Sequence, residues 1–224
     1  MRQVWHDVTV IEGMRIPNSR TDRGFTMIEM VIVLAIIGTL AAILTPIVTN
    51  YVDQSRTAKA QSDARTIGEA ISRFEKDVGR YPMWATANAA LGDSTANIVT
   101  LRSPGNLPTE AATTAWTSAT PTDSDCVSGC QFDDLQDQLL TNAPGYTTSA
   151  SLAKPFKWKG PYLDATADPW GNMYMVNIIN CKSSSSDACF VISAGPNGKI
   201  ETAFNIAKSS SVSPANDDIL YRIK

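Results

Sequence analysis

The chain carries a single histidine, His6, among its 224 residues. Histidine is the commonest side chain for proton transfer near neutral pH and the commonest metal ligand. Its scarcity weighs against hydrolase and zinc-centre chemistry. Charge is scarce as well: Asp, Glu, Lys and Arg make up 18% of the chain, and the net charge is −3. Without a basic excess there is no footprint for a phosphate backbone, so no nucleic-acid partner is expected. There are four cysteines, and no catalytic constellation is visible. The expectation is a protein that is not an enzyme. The length suffices for one domain with a sizeable core and an appended element.

What the sequence does have is a largely apolar run, Phe25–Val48, reading FTMIEMVIVLAIIGTLAAILTPIV. As a helix it would extend about 36 Å at 1.5 Å per residue, enough to cross a hydrocarbon core of about 30 Å. A secretory signal has a shorter apolar stretch followed by a small-residue cleavage site. Here the run is instead preceded by Arg23-Gly24. Before it, four arginines face Asp7, Glu12 and Asp22; beyond it, 15 basic residues face 19 acidic ones. Met14 offers an alternative start to Met1, and the shorter leader MRIPNSRTDRG is the more positive. That form fits the positive-inside rule better.

Glu29 stands inside the run. An ionisable group at membrane depth costs about 3 kcal/mol on insertion scales and marks function by default. The simpler alternative is a glutamate that snorkels to the interface. In the single chain Glu29 is expected to have no partner. Gly38 lowers helix propensity by about 1 kcal/mol, and Pro46 removes an amide donor and crowds the preceding turn.

Past the run, Ala60, Ala64, Ile67, Ile71, Phe74 and Val78 recur at alternating spacings of four and three, one apolar stripe on a continuing helix. Gly79 and Tyr81-Pro82 stop it. Asp133–Asn142 reads as a short helix burying Leu135, Leu139 and Leu140. The Thr-rich stretch 109–125 reads as an exposed loop, with O-glycosylation an open question. Tyr174–Ile179 and Phe190–Ala194 read as strands, the second entering a Pro-Asn-Gly turn. The aromatics Trp158, Tyr162, Trp170 and Tyr174 read as core. Four cysteines allow three connectivities. Local pairing of Cys126 with Cys130 and Cys181 with Cys189 is preferred, because the second pair flanks the hairpin-like stretch KSSSSDA. A zinc site of all four thiolates is the alternative, for which the spacings C-x3-C and C-x7-C are poor.

The string GFTMIEMVIVLAIIGTLAAI resembles the class III signal of type IV pilins and pseudopilins. The resemblance implies that a prepilin peptidase cuts between Gly24 and Phe25, that Phe25 is N-methylated, and that Glu29 directs assembly. It also implies that the helix loosens between Gly38 and Pro46 in a filament. Gly79-Arg80-Tyr81-Pro82, Trp158-Lys159-Gly160-Pro161-Tyr162-Leu163 and Asp168-Pro169-Trp170-Gly171-Asn172 resemble the major pseudopilin of type II secretion systems. That family has a calcium loop. Asn197, Asn216, Asp217 and Asp218 match its opening and close, with Asn197 in place of the usual Asp; a pair of solvated acids is the alternative.

The implied fold is α+β: a long N-terminal helix packed on a small antiparallel sheet, in a lollipop shape. The segments are a cleaved leader (1–24), a transmembrane and polymerisation helix (25–48), its amphipathic continuation (49–82), a loop-rich insert (83–157) and a head sheet with C-terminal loop (158–224). The implied function is a homopolymeric filament subunit, either of a type II secretion pseudopilus or of a surface type IV pilus for adhesion, motility or DNA uptake. A membrane-anchored binding ectodomain is a third reading. Implied partners are other copies, prepilin peptidase, an inner-membrane assembly platform, minor pilins or pseudopilins, and membrane lipid. The leader would be cytoplasmic and the head periplasmic or at the cell surface.

Overall fold

The computed structural model describes residues 24–84, 98–111, 114, 116, 132–149 and 156–224. The leader ahead of Gly24 and the Cys126 and Cys130 pair lie outside the described residues. The chain divides into two units, one ending at Val48 and one running from Thr49 to Lys224.

Helix α1 runs Met27–Val78. From Met27 to Val48 it buries nothing, and Ile28, Val31, Leu34, Ile37, Leu40 and Leu44 all face outward. This part is long and apolar enough to cross a membrane. From Ala60 onward the helix changes character: Ala60, Ala64, Ile67, Gly68, Ala70, Ile71 and Phe74 are buried. This is the stripe read from the sequence, with Val78 only partly buried at its end. Burying a side chain such as Ile71 or Phe74 contributes about 1.5–3 kcal/mol. The pairs Lys59–Asp63 and Arg65–Glu69, both at 2.8 Å and exposed, add a few tenths each. Gly79 ends the helix with φ 79°, where its amide donates to the Glu75 carbonyl at 2.7 Å.

Among the described residues seven short strands follow: β1 (Thr100–Arg102), β2 (Thr109–Glu110), β3 (Phe132–Asp134), β4 (Met175–Val176), β5 (Phe190–Ser193), β6 (Lys199–Ile200) and β7 (Ile219–Arg222). The main sheet has the order β3-β1-β4-β5-β7, and β2 pairs with β6 separately. The main sheet is mixed, not purely antiparallel as expected, because β1 and β3 run parallel. Both come from the insert that reads as loops in the sequence.

β5 divides the core by its two-residue period. Val191 faces the α1 stripe together with Val176 and Tyr174. Phe190 and Ile192 face a second cluster with Met175, Ile200, Phe204 and Trp116. Trp116 is fully buried, edge-on to Phe190 and Phe204, and its indole donates to the Thr202 carbonyl at 2.8 Å. The Thr-rich stretch expected to be an exposed loop therefore contributes both residues of β2 and, at Trp116, a core anchor.

The strand expected over Tyr174–Ile179 ends at Val176. Asn177 intervenes: its side-chain oxygen takes the Phe190 amide at 2.7 Å and its amide donates to the Ala188 and Phe204 carbonyls. A 3-10 turn, Ile178–Cys181, follows. Asp133–Asn142 splits between the β3 edge and a short π-helical turn, Asp137–Thr141; Leu135 and Leu139 are buried, whereas Leu140 is only half-buried.

Candidate functional site

The site residues of the apolar run meet at the start of α1. Thr26 is the N-cap and Glu29 occupies the third helical position. The Glu29 carboxylate accepts the Thr26 amide at 2.8 Å and its hydroxyl at 2.9 Å, while the Glu29 amide donates to the Thr26 hydroxyl at 3.3 Å. This reciprocal pair is a capping box, satisfying two orphan amides at the helix end. Glu29 therefore has a partner within its own chain, contrary to the reading from sequence. The signal was available as Thr26-x-x-Glu29, but the apolar surroundings drew the reading toward an unpaired charge. Phe25 is 84% exposed immediately before the cap, with Gly24 preceding it. Gly38 and Pro46 do not interrupt the helix in this structure, which is continuous through both. Thr45, beside Pro46, donates its hydroxyl to the Ala41 carbonyl at 2.7 Å.

The recognisable turns of the head serve the fold. Asp168 is buried; one oxygen accepts the Trp170 and Asn172 amides at 3.0 and 2.8 Å, the other the Ser193 hydroxyl at 2.8 Å. The Asp-Pro-Trp-Gly-Asn turn is thereby fastened to β5. Tyr174 is core and its hydroxyl reaches Asp63 at 3.3 Å. Trp158 and Tyr162 pack against the α1 cluster from its edge. Trp170 departs from the expectation, since it is half-buried and belongs to neither cluster. At the end of α1, Asp77 pairs with the Lys159 ammonium and accepts the Tyr162 hydroxyl at 3.2 Å. The Lys159 hydrogen bond, reinforced by that of Tyr162, holds the Asp77 carboxyl below its ordinary range.

Cys181 and Cys189 form a disulfide with Cα atoms 4.9 Å apart, linking the 3-10 turn to the start of β5.

The four residues matched to a calcium loop divide in two. Asn197 and Asp217 bond each other twice, Asn197 amide to carboxylate at 3.0 Å and side chain to side chain at 2.6 Å. Gly195, at φ 62°, permits this approach, since a Cβ there would run into the Asp217 carbonyl. Asn216 instead donates to Glu201 at 2.6 Å. Asp218 is buried, and one oxygen accepts the Glu201 and Thr202 amides and the Thr202 hydroxyl at 2.9, 2.7 and 2.6 Å. Burial pushes its carboxyl upward. Among the described residues no three of His, Cys, Asp and Glu converge as a metal-holding group.

The helix start is a recognised motif. Residues 19–45 match the prokaryotic N-terminal methylation motif. Over part of its length the chain is similar to type IV fimbrial proteins and to type II secretion core proteins. The fimbrial protein EcpC of Eikenella corrodens is 41% identical over 33% of this chain and 46% of its own length. The type II secretion system core protein G of Pseudomonas aeruginosa is 36% identical over 28% of this chain and 44% of its own. The core protein G of Escherichia coli is 25% identical over a longer stretch, 82% of this chain and 88% of its own. The chain spans about half the length of the first curated relatives it matches. No solved structure matches the chain.

Proposed function

We propose that this chain is a structural subunit that polymerises through its N-terminal helix into a type IV pilus-like filament, in the first instance the pseudopilus of a type II secretion system. The observation that carries the reading is the Phe25–Val48 surface. It is apolar, exposed all round, and opens on a glycine and a capped glutamate. A helix with no burial of its own needs either lipid or neighbouring helices, and a subunit that is stored in a membrane and then polymerised uses both in turn.

Cleavage after Gly24 creates a positive amine on Phe25, one residue from the capped Thr26. In a packed bundle of apolar helices, the amine of one copy neutralises Glu29 of the next. Desolvation offsets much of the attraction at low dielectric, so the pair fixes axial register more than it adds stability. Gly38 and Pro46 are where the helix loosens if assembly requires it. Prepilin peptidase, the inner-membrane assembly platform and minor pilins or pseudopilins are the further partners. The leader lies in the cytoplasm, and the head, with its disulfide, lies in the oxidising space across the membrane.

Mass spectrometry of purified filaments tests the proposal. The expected N-terminal peptide begins at a methylated Phe25, and a peptide starting upstream of Gly24 would refute it. A bulky residue replacing Gly24 should leave unprocessed protein in the membrane. A surface pilus is the second reading, favoured by fimbrial relatives at about the same identity and by the insert, which a surface filament would present outward. Deletion of the gene discriminates: loss of enzyme secretion with motility intact supports the pseudopilus, the reverse the pilus.

A further inference from the structure

We infer that the loop joining the Gly195–Gly198 turn to Asp217 and Asp218 is closed by protein hydrogen-bond donors where the resembled family holds calcium, so that this head folds without a divalent cation. The inference does not rest on the filament reading, because it concerns the loop alone.

Asn197 decides it. Its side-chain oxygen accepts the Lys199 amide at 2.6 Å. That fixes the side-chain amide, which then faces acids on its other side, Asp217 at 2.6 Å and Glu201 at 3.4 Å. Turning the group over would set an oxygen against the Asp217 oxygen and deprive the Lys199 amide of its acceptor. Both oxygens of Asp217 are thus occupied by Asn197, one by its backbone and one by its side chain. Glu201 is met from both sides as well, by the Asn216 amide at 2.6 Å and the Lys199 ammonium at 3.5 Å.

Of the carboxylate oxygens of Asp217, Glu201 and Asp218, a single one is left without a donor. Asp218 offers one, the buried Oδ1 that has no hydrogen-bond partner; its other oxygen already takes three donors. Calcium takes about six to eight oxygens. An aspartate at 197 would invert the balance. Its second oxygen would stand opposite Asp217, and two carboxylates at that separation repel unless a cation lies between them.

The full-length chain in detergent micelles, melted with millimolar calcium and with a chelator, tests this. A bound ion at a hundredfold excess over its Kd raises Tm by about 5–10 °C in a chain of this size. The wild-type protein is expected to shift by less than about 2 °C, within the effect of ionic strength alone. Asn197→Asp is expected to melt lower in chelator and to recover with calcium. A wild-type shift of several degrees, or saturable calcium binding in equilibrium dialysis, overturns the inference. So does an Asn197→Asp protein that melts identically with and without calcium. The wild-type measurements decide the matter even if the variant does not fold.

Discussion

Between Met27 and Val48, α1 buries no residue, whereas seven are buried between Ala60 and Phe74. Both stretches are good helix, and they differ in how their apolar residues are spaced. The later stretch repeats them at three and four, one face wide, and its own head covers that face. The earlier stretch is apolar all round, which no single head can cover. Helix formation and helix burial are therefore separate problems in this chain: the second half solves burial internally, and the first half exports it.

The sharpest way to break this comparison is to remove one large side chain from each half. Phe74 lies edge-on to Tyr146 and Tyr162 with ring centroids 5.0 and 5.6 Å away. Phe74→Ala is expected to cost about 3–5 kcal/mol of head stability, read by thermal or denaturant unfolding in micelles. Leu34→Ala should leave the head transition where it was. Equal losses would show that the halves are not separate.

The two helix glycines give a finer contrast. A Cβ on Gly68 would lie 2.5 Å from the Tyr221 ring, whereas one on Gly38 meets nothing within 4 Å. Gly68→Ala is expected to cost about 1–3 kcal/mol through crowding of the α1 and β7 contact. Gly38→Ala should spare the head and favour the local helix by about 1 kcal/mol. Circular dichroism with melting separates the outcomes, and a stable Gly68→Ala head would mean that Tyr221 gives way freely.

The smallest expected effect is on pH dependence. The Asp77 carboxyl titrates lower in the folded head than in the unfolded chain. It therefore contributes stability above the ordinary value of about 3.9, and that contribution is lost as pH falls through the folded value. The pair is partly exposed, so the effect is modest. Asp77→Asn should lower Tm at neutral pH and flatten its fall in acid. A variant with the wild-type acid slope would assign that slope to other carboxylates.

The sequence made the helix legible from end to end, because its periods run over many residues. Ala60, Ala64, Ile67, Ile71 and Phe74 are the buried stripe that the spacing predicts. The sheet was harder to read. β1 and β3 are three residues each and are paired from 32 positions apart, too short to show a period, and Phe-Asp-Asp carries no alternation. Trp116 sits among Thr and Ala, and only tertiary contact with Phe190 and Phe204 reveals it as core. Asn177 ended a strand that Val176 and Ile178 suggested should continue, because a buried side-chain amide replaced the ladder there. At the candidate site Gly24 and Glu29 stood out by type against an apolar background, and Phe25 only as the residue that follows the glycine. The partnership of Thr26 with Glu29 was written in a four-residue motif that the background hid.

The most direct test of exported burial is Glu29→Leu, scored together for processing, membrane level, head melting and filament yield. The substitution removes a charge that is costly at membrane depth and leaves the neighbouring Phe25 amine unpaired in any assembly, at a cost of about a few kcal/mol. The expected result is normal cleavage, normal or higher membrane level, an unchanged head transition and few or no filaments. Wild-type filament yield from Glu29→Leu would contradict the account, leaving Glu29 as no more than the cap of its own helix.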